Sequence, residues 1–276
     1  MTEICRSRKA FGYDSNRKRG MLMQRLFPPM YDRPDGKPAV LGGLYWFAFL
    51  ILLPTAFQFA VATSSNVDAA IGWGSFILYA ISFGTVILIF REYLVDSFLN
   101  VQIDKKRFAA VVAVASCALL VALGALECLA VLLGSDLLTE GLCYVLPFAE
   151  LPMWIPGFWQ LEQIPLWGTL CLVILVPVSL CCLYYGVFFS PFAVNRPLLG
   201  YLAVMLFALV PRLVGLGSAG WIVDQAVFYL VQLPWHLVAC WAYQKADTIW
   251  APISVYAIVN LCGCLRIFAT FVMMGA

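Results

Sequence analysis

The sequence predicts an all-α polytopic membrane protein of about seven transmembrane helices. Three observations carry that expectation. The 276 residues are 63% hydrophobic and only 12% charged, far from the composition of a soluble globular domain. Seven apolar runs are each near or above the roughly 20 residues that a helix needs to cross a bilayer. The few charges are gathered into the connections between those runs, the pattern of an oriented membrane chain.

Residues 1–37 form a basic tail with nine Lys/Arg against four acids. Its stretch RKRGMLMQRLF (17–27) leads into Pro-Pro and a Pro/Asp/Gly turn, not the short apolar region of a signal peptide, so no cleavable leader is expected. The stretch serves either as a retained topogenic charge cluster or as a basic strip lying on an anionic leaflet. The first three helices are predicted at 38–63, 71–91 and 108–134, which together make a 38–134 unit. Residues 135–165 follow as a loop rich in Pro, Trp and Phe, a composition suited to the outer membrane boundary. A C-terminal region, 166–276, then holds helices at 166–190, 198–217, 221–243 and 248–270.

Charge sets the expected orientation. The segment from Gly134 to Leu166 carries Asp136, Glu140, Glu150 and Glu162 without a single base. Arg91, Lys105, Lys106 and Arg107 fall between helices two and three, Arg196 between four and five, and Lys245 between six and seven. All these bases share one side with the tail, which places the N-terminus in the cytoplasm and the C-terminus outside. A net charge of +2 offers nothing for nucleic acid. Of the ten cysteines, eight lie within apolar runs, where a thiol is usually a small packing residue. Cys262 and Cys264 point about 200° apart on a helix and do not share a metal. No metal and no cofactor is expected.

Polar and small-residue steps inside apolar helices are where chemistry would reside, since burying them without partners is unfavourable. Helix four contains VPVSLCCLYYGVFFSPF (176–192), helix five LGYLAVMLFALVPRLVG (199–215) and helix seven IWAPISVYAIVNL (249–261). In this order the three segments resemble the core of the CPBP family, the membrane proteases related to type II CAAX prenyl endopeptidases and to bacteriocin-immunity proteins. Pro177 and Gly186 match the first motif, whereas Leu180 and Cys181 stand at its two glutamate positions and Tyr185 at its arginine position. Phe207 matches the second motif, with Pro211 at the histidine position. Trp250, Ala251, Pro252 and Asn260 match the third, with Tyr256 in place of histidine. Spacings of 22 residues from Tyr185 to Phe207 and 45 from Pro211 to Tyr256 agree with the family pattern. The charged segment FREYLVDSFLNVQIDKKRF (90–108) resembles the link that many bacterial members carry ahead of the core.

The resemblance implies a proteolytic framework in a bacterial cytoplasmic membrane, with a glutamate and a histidine activating water and a histidine–asparagine pair holding the oxyanion. This chain lacks the means. Leu180 accepts no proton, an apolar setting suppresses the Cys181 thiolate, and Pro211 has neither a titrating group nor a backbone donor. Asn260, with the Tyr256 hydroxyl, remains able to donate to an oxyanion. The expected function is therefore non-catalytic: binding of a lipid, or of a transmembrane or lipidated protein, in a former substrate cavity, in a regulatory or immunity role. An active protease with atypical residues and a transporter or channel subunit are the alternatives. Glu127, Asp224, Arg212 and Arg266 fall in the outer half, where they are expected to form structural ion pairs. His236, the single histidine, lies at the depth of Tyr256, and a hydrogen bond between them is expected. Asn260 is expected to make a helix–helix hydrogen bond or a ligand contact.

Overall fold

The computed structural model describes residues 30, 32–34, 36–48, 67–133, 169–194, 196–213 and 219–273. Among these residues the chain is all-helical, with seven helices and no strand. They are α1 (Lys37–Phe47), α2 (Val67–Ile103), α3 (Lys105–Leu133), α4 (Cys171–Ala193), α5 (Pro197–Leu213), α6 (Ala219–Ala246) and α7 (Trp250–Met273). The remainder of the predicted 38–63 run and the 135–165 loop lie outside the described residues.

Two boundaries differ from the sequence expectation. The predicted 71–91 helix runs on to Ile103, because the segment 92–103 keeps helix-forming residues with Tyr93, Leu94 and Ser97 on one buried face. The break before α3 is the single residue Asp104, whose Oδ1 accepts the Arg107 backbone N–H at 3.1 Å and so caps the new helix. The charged link is thus helical almost throughout.

α4 occupies the centre. It packs against α1, α2, α5, α6 and α7, and every residue from Val176 to Val187 is buried. α3 lies outside α6 and α7 and is mostly exposed. By length and composition α3 (over Lys105–Leu126) and α4 are apolar enough to cross a membrane.

Two stretches of α4, Cys171–Leu175 and Cys182–Phe189, wind as π-helix. In the first, the Val176 N–H reaches Cys171 O, five residues back. In the same register the donor for Leu172 O is residue 177. That residue is proline and has no N–H.

Close packing fixes α1 against the centre. A Cβ on Gly42 would lie 2.5 Å from Phe90 Cζ and 2.7 Å from Val187 Cγ2. Next to it Trp46 meets the rings of Tyr184, Phe188 and Phe207 edge-on, and Phe188 stacks on Phe207 at 3.9 Å. These aromatic contacts join α1, α4 and α5. The Phe207 position therefore contributes a packing ring.

Candidate functional site

The motif positions of α4 and α7 lie on packed faces of these two helices. Leu180, Cys181, Tyr185, Tyr256 and Asn260 are each no more than 2% exposed. Their side chains are enclosed by packing. The Tyr185 hydroxyl is 2.7 Å from the Tyr256 hydroxyl and 3.2 Å from His236 Nδ1. Trp235 packs its ring 4.6 Å from that of Tyr256, and the Tyr184 ring lies 5.5 Å from His236.

The Tyr185 hydroxyl on the central helix thus reaches both His236 and Tyr256, between which a hydrogen bond was expected, and links α4 to α6 and α7. Such a chain of hydrogen bonds holds three helices together. Tyr185→Phe is expected to lower stability by about 2 kcal/mol, and Tyr256→Phe by about half as much, in unfolding titrations of the purified protein.

Asn260 stands apart from this trio. Its Nδ2 donates to Leu172 O at 2.8 Å, across from α7 to α4. That carbonyl is the one for which Pro177 lacks the donor in the π-wound turn. The Asn260 amide therefore supplies a hydrogen bond that the proline removes from its own helix.

Of the remaining predicted residues, Arg266 is exposed on α7. The side chains of Glu127, Pro211, Arg212 and Asp224 lie outside the described residues. Cys181 is buried on α4, and on α7 Cys264 is buried and Cys262 exposed. Among the described residues no group of three His, Cys, Asp or Glu side chains is placed to hold a metal.

A second cluster, at the end where α6 turns into α7, was not anticipated as a site. Asp32, from the segment ahead of α1, inserts between α2 and this turn. Its Oδ2 accepts hydrogen bonds from Ser97 Oγ (2.8 Å), the Ile249 N–H (3.0 Å) and the Tyr93 hydroxyl (3.1 Å). Its carbonyl accepts from the Tyr243 hydroxyl at 2.8 Å, and its N–H donates to Asp247 Oδ1 at 2.9 Å. The Tyr93 and Tyr243 hydroxyls also meet each other, so their two protons are shared among that contact and the two acceptors on Asp32. Thr248 Oγ1 donates to Ser97 O at 2.9 Å, and Asn100 Nδ2 donates to Asp247 O at 3.2 Å. Trp250 Nε1 reaches Leu94 O at 2.9 Å.

The local sequence explains the turn. Asp247 adopts a left-handed φ of 53°, a conformation that Asp tolerates better than most residues, and this ends α6. Ile249 and Trp250 then begin α7 with N–H groups that lack helical acceptors, and the Asp32 carboxylate supplies one from the far end of the chain. Burial, with the nearby Asp247 charge adding to it, raises the Asp32 carboxyl from 3.8 to about 6, against the opposing effect of its hydrogen bonds. The visible signal in the sequence was the polar step Asp247-Thr248 ahead of Trp-Ala-Pro. Asp32 itself looked like part of an ordinary Pro/Asp/Gly turn.

The described residues form seven helices around an apolar core that also encloses polar groups, while many large apolar side chains are exposed. No family model, curated protein or solved structure matches the chain.

Proposed function

We propose that this chain is a multi-pass membrane protein with a cytoplasmic N-terminus, built on a CPBP-like helical framework, that acts by binding a lipid or a membrane-embedded protein and not by hydrolysis. Support for the membrane reading is the exposure of large apolar side chains together with the burial of several polar ones. Leu88, Val121 and Leu206 are 82%, 72% and 64% exposed, while Gln232, His236, Gln244 and Asn260 are buried. A lipid environment suits both. The bases Lys105, Lys106, Arg107, Arg196 and Lys245 lie at the α2/α3, α4/α5 and α6/α7 connections, in keeping with the charge-based orientation.

The observation that carries the non-catalytic reading is the closure of the motif positions. Where the family pattern has arginine and histidine, Tyr185 and Tyr256 hydrogen-bond to each other, and Asn260 is engaged with Leu172 O. A partner is therefore expected on the outer apolar faces, not in a cavity beside Leu180 and Cys181. The test is direct incubation of purified protein, in lipid nanodiscs, with prenylated and unprenylated peptides. No turnover above the rate of empty nanodiscs is expected. Cleavage that disappears with Asn260→Ala would overturn the reading.

A further inference from the structure

We propose that the start of α5 is a binding site for one anionic phospholipid, with the headgroup at Arg196 and an acyl chain along the leucines that follow. This site rests on the membrane reading above. The two sides of α5 differ sharply. Gly200, Val204 and Ala208, spaced four residues apart, are buried, whereas Leu198, Leu202 and Leu206 are each more than half exposed. Residues at that spacing stack along one side of a helix, so the three leucines make an apolar strip about 12 Å long.

At the foot of the strip Arg196, Pro197, Leu198 and Leu199 line a recess of about 400 Å³. Its walls are fixed to the bundle. The Leu199 and Gly200 N–H groups both donate to Arg196 O, at 2.9 and 3.4 Å, which ties the arginine to the first turn of α5. Gly200 brings that turn hard against α4, since a Cβ there would lie 2.9 Å from the Phe189 ring and 3.0 Å from Phe189 O.

Charge selects the occupant. Arg196 is exposed, and among the described residues no carboxylate pairs with it. An apolar strip by itself suits any acyl chain. A strip that ends at an unopposed guanidinium suits an amphiphile with a net negative head, because the planar fork of donors matches a phosphate and no second cation competes for it. Phosphatidylglycerol has that chemistry, whereas phosphatidylcholine carries its own ammonium group. The other exposed basic cluster, Lys105 to Arg107, has Asp104 beside it and serves as the comparison.

Native mass spectrometry of the full chain in detergent, with equal amounts of phosphatidylglycerol and phosphatidylcholine bearing the same acyl chains, tests the site. The wild-type chain is expected to favour phosphatidylglycerol about fivefold, the effect of one cation near an anionic headgroup. Arg196→Gln is expected to equalise the two lipids, and Arg196→Lys to retain the preference because the charge is kept. Leu202→Ala combined with Leu206→Ala is expected to reduce uptake of both lipids. Free glycerol phosphate, which has no acyl chain, is expected not to displace bound lipid. Neutralising the comparison cluster, by Lys105→Gln, Lys106→Gln and Arg107→Gln together, is expected to leave the preference intact. Equal uptake by the wild type, a preference that survives Arg196→Gln, or one that vanishes in the triple variant overturns the proposal. The wild type and the triple variant decide the matter even if Arg196→Gln does not fold. A chain that stays monodisperse in water without detergent would instead overturn the membrane reading, and the site with it.

Discussion

Asn260→Leu is expected to lower stability by about 2 kcal/mol in the wild-type chain and by much less in a Pro177→Ala background. The argument begins with the proline. In the π-wound start of α4, Val176 N–H goes to Cys171 O, which moves the duty of donating to Leu172 O onto residue 177. Pro177 has nothing to donate, and Leu172 is fully buried, where water is excluded. Asn260 Nδ2 fills that place at 2.8 Å. Removing the amide therefore strands a carbonyl, which costs more than the net value of an ordinary hydrogen bond. Alanine at 177 restores a backbone N–H and makes the amide redundant. A double-mutant cycle read by reversible unfolding in detergent checks this, and a coupling below about 0.5 kcal/mol would show that the two residues act independently.

Gly42→Leu is expected to be more damaging, at about 3 kcal/mol or above, with α1 displaced from the bundle. Even the first carbon of a side chain would meet Phe90 Cζ at 2.5 Å and Val187 Cγ2 at 2.7 Å. Phe90 is fully buried and has no room to retreat. The neighbouring glycine provides the control. A Cβ on Gly43 has Val187 Cγ1 at 3.8 Å as its nearest contact, an ordinary van der Waals distance. Gly43→Ala is therefore expected to be neutral or to stabilise by up to about 1 kcal/mol through helix propensity. Tryptophan fluorescence from Trp46, which lies beside Gly42 on the inner face of α1, reports the displacement.

Much of this fold was legible because helix-length apolar runs announce themselves. The described helices α3, α5, α6 and α7 begin and end within four residues of the predicted 108–134, 198–217, 221–243 and 248–270. α2 was underestimated because its last turns carry Arg91, Glu92 and Asp96, and charge was read there as a break. On a helix those three residues share the exposed side while Tyr93, Leu94 and Ser97 are buried.

The site was legible only in part. A shared depth for His236 and Tyr256 follows from rise per residue, but nothing in either helix states that Tyr185 bridges them. The link between Pro177 and Asn260 was hidden because it depends on π winding, a register that periodicity does not reveal. Asp32 was the hardest to see. Its partners come from residues 61 to 217 positions away, so no local pattern marks it.

That same separation bears on how the chain is completed. The bond from Ile249 to Asp32 joins residues 217 apart, and it closes a larger loop than any helix-to-helix contact between successive elements. It has no meaning until α2, α6 and the start of α7 are all in place, since each contributes a partner. The ordered state of Asp32 is therefore a record of finished assembly. A chain arrested before α7 forms lacks the Ile249 N–H, and with it one of the bonds that hold Asp32.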